Sequence, residues 1–494
     1  MSHKTVDLDG FKQVVGPDNV STQESELESF RSAGMASRGS PVAIVKPTEM
    51  SELRDIIILA RQTGANLVFS SSAPPRFRGD SIPSEDGVIV DLSGMDEITR
   101  LDRRNKVAYI EPGVTFSHLI EAADKVGLKV LMPLLPRAGK SVLACFLERE
   151  PITIPKYHWD MTDPLLCTEM VFGTGDLFRT GTAGSPGTIE QQIDAGLAHK
   201  NPLGPGTTDF LRIVQGSQGT LAGVTWATIK LEVKPSVHKI YFVPDIKLER
   251  LIEFTYRALR PRLGDEWLIL NSRALATLIG ETSAAVEELA GRQAPWTLVY
   301  GVSGYRYLPE ERMALQEKDL GKIAQAAGVV PVSEVPGCPA KKMERILASP
   351  SPEPYYKTVP KGAFTDIFFL ATLDEVSTLI AVMEKACEHH GYPTSELGAY
   401  IQPIQQGRTA HVEFALSYDP ADEAESKKVA ELADSASRAL DAAGAFFSRP
   451  YGAWSDIAYR NCPDTVEALK KVKRVMDPDN VLNRGKLCYG EEVV

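Results

Sequence analysis

Two polar residues, His411 and Glu413, stand two positions apart in the otherwise apolar stretch AYIQPIQQGRTAHVEFALSY, residues 399–418. On a strand, that spacing puts both side chains on one face. An imidazole beside a carboxylate can take a proton from a substrate hydroxyl or contact the substrate, or the two can form a satisfied structural pair. Two such groups are too few for a metal site, so none is expected. Further on, GAFFSRPYGAWSDIAYR (444–460) offers Arg449 and Tyr451. A guanidinium fork and a phenol hydroxyl suit a substrate carboxylate or phenolate. Phe446, Phe447 and Trp454 beside them read as pocket wall or as core.

The elements that must position these groups come from periodicity and turn chemistry. Residues 42–45 are a short apolar run stopped by Pro47. Thr48 reads as an N-cap, and Leu53, Ile56, Ile57 and Ala60 recur at helical spacing until Gly64. Strands are expected at 66–69, 88–92 and 106–110, and a helix over 115–126 ends at Gly127. No G-x-G-x-x-G follows the first strand, which argues against a Rossmann site. Residues 133–206 are rich in Gly, Pro and Thr, with a strand-like piece at 168–172, and 216–234 is turn chemistry running into a strand. Composition shifts after Pro235. From there helices at 248–260, 283–290 and 373–389 alternate with strands at 240–243, 296–302, 364–371 and 411–418. Helices at 422–443 and 465–476 follow, the last stopped by Asp477-Pro478. The expected fold class is α+β, with helices against a mostly antiparallel sheet in the second domain.

Bulk properties exclude several classes. A chain of 494 residues is long enough for two or three domains. A formal net charge of −11 without a Lys/Arg cluster argues against a nucleic-acid partner. The six cysteines form no C-x-x-C pair and none lies at zinc spacing from a His. A disulfide framework and an internal iron–sulfur cluster are therefore not expected, and a cytoplasmic setting is. Residues 1–10 are polar, unlike a secretory signal, and no apolar run approaches the roughly 20 residues of a membrane span. Attachment to a membrane through a partner stays open.

Five stretches, in order, resemble the FAD-linked oxidases of vanillyl-alcohol oxidase and p-cresol methylhydroxylase type, which include glycolate oxidase and D-lactate dehydrogenase flavoprotein subunits. They are VVGPDNVSTQESELESF (14–30), PVAIVKPTEMSELRDIIILARQTGANLVF (41–69), GVIVDLSGMDEITRLDRRNKVAYIEPGVTFSHLIEAADKVGLKV (87–130), QGSQGTLAGVTWATIKLEVKP (215–235) and VKRVMDPDNVLNRGKL (472–487). The resemblance implies a two-domain flavoprotein. A bipartite FAD-binding domain of PCMH type covers 1–235, an α/β cap for substrate covers 236–445, and 446–494 returns to the first domain. It implies a dehydrogenase that oxidises a hydroxylated small molecule, a 2-hydroxyacid or an aromatic or alicyclic alcohol, by hydride transfer to flavin N5. The electrons would pass to oxygen, a quinone or a partner such as an iron–sulfur protein, in an assembly of like or unlike subunits. The alternative is a non-catalytic or electron-relaying subunit of a larger redox complex.

Two departures bear on that alternative. Where the family loop reads roughly R-G-G-G-T-S, this chain has Ser70-Ser71-Ser72-Ala73-Pro74-Pro75. Serines keep the N–H and add a hydroxyl, whereas the prolines offer no amide, so the loop is a rearranged phosphate cradle or a plain surface loop. Where relatives place T-x-G-G beneath the flavin ring, the segment from Pro136 has Arg137, Lys140 and Ser141. The two cations could support reduced anionic flavin, or could be solvated loop residues. Better kept are Gly216, Ser217, Gly219, Thr220, Gly223 and Val224, and Pro112-Gly113-Val114. Both groups read as backbone passing close to a nucleotide, or as tight turns. Asn483 and Lys486 would reach the flavin edge or anchor the C-terminus. Covalent attachment needs a His, Tyr or Cys; residues 70–80 have none, and His118, Cys145, Tyr157 and His158 lack the family context, so FAD is expected to bind non-covalently.

Overall fold

The computed structural model describes residues 6–31, 39–77, 81–156, 163–197, 204 and 208–490. Tyr157, His158 and residues 78–80 lie outside these.

The first sheet has the parallel strands Pro41–Val45, Gly87–Asp91 and Leu67–Ser70, with Val20–Ser21 antiparallel at its edge. The helix Met50–Thr63 crosses over from Pro41–Val45 to Leu67–Ser70, the two strands that flank Gly87–Asp91 in parallel. Its Leu53, Ile56, Ile57 and Ala60 pack on Ala43, Val45, Leu67, Val88 and Val90. The helix begins at Glu49 rather than Thr48 as cap, yet Thr48 N and Oγ1 both donate to Glu52 Oε2 at 2.6 and 3.0 Å. Gly64 ends it in the left-handed region, φ 74 and ψ 24.

The second sheet is built around the long strand Ala222–Val233, antiparallel to Val107–Ile110 on one side and Leu165–Phe172 on the other, with Leu128–Val130 antiparallel to its last residues. The third runs Val237–Asp245, Trp296–Gly304, Trp267–Asn271, Leu397–Ile404, Thr409–Tyr418, Ala363–Ala371, antiparallel throughout. Period-two alternation sorts its faces. Ile367, Phe369, Ala399, Ile401, Val412 and Phe414 point to one side, into a core shared with the helices Leu248–Leu259, Pro309–Ala327, Val376–His389 and Glu423–Ala442. Asp366, Phe368, Tyr400, Gln402, His411 and Glu413 therefore share the opposite face, Glu413 standing between Phe368 and Tyr400, and His411 between Leu370 and Gln402.

The chain's end returns to the first sheet: Leu67 N donates to Val481 O and Asn483 N to Leu67 O, both at 2.8 Å. The helix Pro463–Met476 brings Lys473 to a buried contact with Asp477 at 2.5 Å. Lys473 Nζ also donates to Thr220 O and Leu482 O, while Asp477 accepts from Val481 N and Leu482 N. An ion pair this buried is tolerable only when its remaining donors and acceptors are so satisfied. Among the described residues no helix is long and apolar enough to cross a membrane.

Candidate active site

Four segments are knitted together where the first two sheets meet the third. Ala73 N donates to Gly139 O, and Ala73 O accepts from Arg137 Nη1, both at 2.9 Å. Ser141 N donates to Ser72 Oγ at 3.1 Å, and Ser141 Oγ donates to Pro112 O while capping the helix Val142–Leu147 through Ala144 N. Val142 N donates to Val114 O at 2.9 Å. At Gly113 a Cβ would sit 2.3 Å from Ser93 O, so only glycine fits. The fourth segment carries positive φ at Gly216, Gln218 and Gly219 (76, 52 and 68°). For Gln218 that backbone is strained by roughly 1–2 kcal/mol. It is held by its own Nε2 donating to Pro450 O at 2.9 Å and by Asn483 Nδ2 donating to its carbonyl at 2.6 Å.

These segments line one cleft of about 810 Å³, bounded by Ser70, Ser71, Pro112, Ala144, Gly216, Ser217, Gly219, Gly223 and Val224. The Phe69 ring also lines it, and a Cβ at Gly219 or Gly223 would approach that ring to 3.1 or 3.0 Å. A second cleft of about 1060 Å³ shares Phe69, Ser70, Ser71, Ala144, Glu148 and Arg449 with the first. It reaches Ser72, Pro136, Arg137 and Lys140 on one side and His411 and Glu413 on the other. The two form a continuous trough between the domains.

The polar face of the third sheet supplies its far wall. Lys357 Nζ donates to Asp366 Oδ2 at 2.7 Å and to Glu413 Oε1 at 2.5 Å. His411 Nε2 lies 3.7 Å from Glu413 Oε2. Burial alone would raise the Glu413 pKa, but Lys357 and His411 outweigh it and hold the carboxyl well below its usual range. Burial likewise works against the Lys357 charge, and Asp366 and Glu413 raise its pKa instead. Burial and then Glu413 push the Tyr400 phenol well up, so it stays protonated and donates to Gln402 Oε1 at 2.8 Å. The Arg449 guanidinium stacks 4.1 Å above the Phe368 ring, and Tyr451 meets the same ring edge-on at 6.1 Å. Phe77, Tyr355 and Phe364 form an aromatic cluster with centroids 4.8–5.8 Å apart.

Among the sequence candidates, Ala73, Gly113, Val114, Ser141, Thr220, Asn483 and Lys486 do not line the trough. Ala73, Val114, Ser141 and Asn483 instead hold the lining segments in register through the bonds above, Gly113 through its N donating to Met95 O at 2.6 Å, and Thr220 through its carbonyl to Lys473. Lys140 is tied to Glu148 and Glu150 at 2.8 and 3.2 Å, which compensate its charge. Arg137 is buried, which lowers its pKa. Phe446 is 61% exposed, Phe447 belongs to the core, and Trp454 packs on Phe368 and Phe447. Cys145 is buried, its Sγ 3.3 Å from Glu150 Oε2. Lys357, Tyr355, Tyr356, Asp366 and Tyr400 line the site without having been singled out in the sequence. Asp366 was legible in principle, as the acidic residue at an alternate position of AFTDIFFLA.

The fold and the trough together define a two-domain flavoprotein. A FAD binding domain family matches residues 41–141, and the family described as FAD linked oxidases, C-terminal domain, matches 371–487. The chain is thus similar to the FAD-linked oxidases in both domains, and its cofactor is FAD. The structure of p-cresol methylhydroxylase with substrate bound superimposes with a TM-score of 0.82 at 18% identity, over 98% of this chain and 96% of that one. Among curated relatives, 1'-carboxy-chondrochloren decarboxylase of Chondromyces crocatus is 27% identical over 50% of this chain and 43% of its own length. Glycolate oxidase subunit GlcD of Bacillus subtilis (strain 168) is 26% identical over 46% of this chain and 45% of its own length. The matched part is thus less than half the length of either relative.

The trough's chemistry suits a dinucleotide. Its first half is lined by small residues and by the hydroxyl-bearing Ser70, Ser71 and Ser217, and the 216–219 turn, held by tertiary bonds at positive φ, brings backbone to its wall.

Proposed function

We propose that this chain is a dehydrogenase that oxidises the CH–OH group of a hydroxyacid or an aromatic alcohol in the trough. The observation that carries the reading is that the His411–Glu413–Lys357 array and Arg449 share one trough with the small-residue segments of the FAD binding domain. Ser70, Ser71, Ser72 and the 216–219 turn would hold the diphosphate, and the Pro136–Ala144 stretch would back the ring. FAD, when bound, supplies the hydride acceptor at N5.

The protein's own part is to bind, orient and deprotonate. His411 takes the hydroxyl proton as the carbon gives up its hydride. Glu413, kept ionised by Lys357, stabilises the imidazolium that results. Arg449 and Tyr451 grip the carboxylate or phenolate, and Tyr355, Phe364, Phe368 and Tyr400 flank an aromatic body. FAD is held non-covalently, and the electrons leave for an acceptor protein or quinone, in the cytoplasm. Two relatives are named for reactions of carboxylate-bearing molecules, carboxy-chondrochloren and glycolate, which agrees with an anionic substrate.

One observation favours a second reading, an electron-relaying subunit: Pro74 and Pro75 remove two amides from the loop after the strand Leu67–Ser70. Anaerobic mixing of the purified yellow protein with a panel of hydroxyacids and phenolic alcohols separates the two. Bleaching of the flavin by a member of the panel supports the dehydrogenase, and a colourless protein that takes up no FAD sinks it.

A further inference from the structure

Beside the trough lies a smaller, narrow inner cavity. It shares Leu134, Tyr356, Lys357, Tyr400 and Glu413 with the trough, so one wall serves both. Its roof is the helix Ser272–Ile279, laid over the third sheet where Gly398 leaves room: a Cβ there would stand 3.9 Å from Ala274 Cα. Most of the lining is apolar or hydroxylic, with Leu270, Leu278, Ala415, Thr277 and Ser417.

Among its charged residues is Arg273, which lines this cavity and is only 2% exposed. Its Nη1 donates to Glu287 Oε1 at 2.5 Å, a carboxylate whose side chain is 60% exposed. Its Nε and Nη2 have no hydrogen-bond partner among the described residues. Leaving charged donors unmade in a buried place is costly, and Nε with Nη2 is the edge of guanidinium that accepts a carboxylate through two parallel bonds. The other charges at the cavity are already matched: Lys357 by Asp366 and Glu413, and Glu396 by Lys361.

We infer that Arg273 is a specificity residue whose Nε–Nη2 edge binds a carboxylate carried on an apolar arm of the substrate, remote from the carbon that is oxidised. The inference rests on the trough being the substrate site. It names the substrate class more closely: a hydroxylated molecule with a terminal carboxylate on a short apolar arm. Arg449 holds the opposite, phenolate or hydroxyl-bearing end, and the arm passes between Tyr356 and Tyr400 into the inner cavity.

Calorimetric titration of the flavin-loaded full chain with hydroxyphenylpropanoate and with its neutral amide tests this without relying on turnover. The acid is expected to bind at least about tenfold tighter than the amide, a charge-assisted bidentate contact being large enough for that. Arg273→Met removes the preference and leaves amide affinity unchanged, and Arg273→Lys restores part of it. If Arg273→Met does not fold, Thr277→Phe fills the cavity with the arginine in place and is expected to erase the same preference. Equal affinity for acid and amide in the wild type, or a preference that survives both substitutions, overturns the inference while leaving the substrate site standing. Failure of both probes to bind overturns the site reading and this inference together.

Discussion

At the scale of single residues, the array around Glu413 is bound by its charges. Lys357 is buried between two carboxylates, so removing it takes the nearest cation from both. Lys357→Met is expected to cost about 3–5 kcal/mol of stability at neutral pH, read as a lowered Tm. The pH dependence follows from the directions of the shifts. Glu413 is depressed below its ordinary 4.5, so its contribution is present above that pH and is lost as pH falls through the folded value. Lys357 is raised above its ordinary 10.5, so its contribution is complete below that pH and is lost as pH rises through the folded value. The pair therefore stabilises across the whole interval between, and a stability–pH curve for the variant that stays parallel to wild type across the acid limb would contradict the assignment. Chemistry at the same place is tested by His411→Gln. The loss of a proton acceptor should slow substrate-driven flavin bleaching by about 10²–10⁴ while flavin content stays at the wild-type level.

At the scale of elements, the two faces of the third sheet predict opposite consequences for neighbouring residues. Phe414 is fully buried against the helices, and Phe414→Ala should cost about 3–5 kcal/mol in stability with the trough's residues untouched. Denaturant midpoints for that variant check it, and a loss under about 1 kcal/mol would show that this face is not the core. The same alternation is what made part of the site legible beforehand: His411 and Glu413 are polar at i and i+2 of an apolar strand, and the strand Thr409–Tyr418 puts both on one face. Amphipathic helices were legible for the same reason, Glu423–Ala442 and Ser283–Ala290 among them. The strand Leu397–Ile404 was not, because Gly398 and Pro403 argue against a strand that turns out to be paired on both sides. The all-apolar WLIL of Trp267–Asn271 carries no period to read. Lys357 and Arg273 stayed hidden for a deeper reason. Lys357 lies 56 residues from its partner Glu413, and Arg273 faces its cavity through a helix whose apolar neighbours read as ordinary core. Such contacts exist only after the sheet has closed, and no local spacing encodes them.

At the scale of the whole molecule, a second charged cluster joins the two domains away from the trough. Lys129, on the strand Leu128–Val130 of the second sheet, contacts Glu266, which also meets His238 Nε2 at 2.9 Å on the third sheet. His238 Nδ1 in turn lies 3.2 Å from Glu344. Burial opposes protonation of His238, yet Glu266 and Glu344 prevail and its pKa is raised above the ordinary 6.5. A raised folded value means that the protonated imidazole contributes its full stabilisation below about pH 6.5, and that this is lost as pH climbs through the folded pKa. The lost interaction lies within the cap, between the strand Val237–Asp245 and Glu266, so the consequence is a weaker edge of the third sheet directly behind the Lys129–Glu266 contact. Wild-type Tm should accordingly fall as pH is raised from 6 towards 9, roughly, and His238→Asn should start lower and vary less over that span. The Lys129–Glu266 pair persists throughout, since burial's effect on Glu266 is outweighed by Lys129 and then His238, which keep it ionised. A wild-type Tm that rises over that range, or an Asn variant with the same slope as wild type, would remove His238 from the seam's electrostatics.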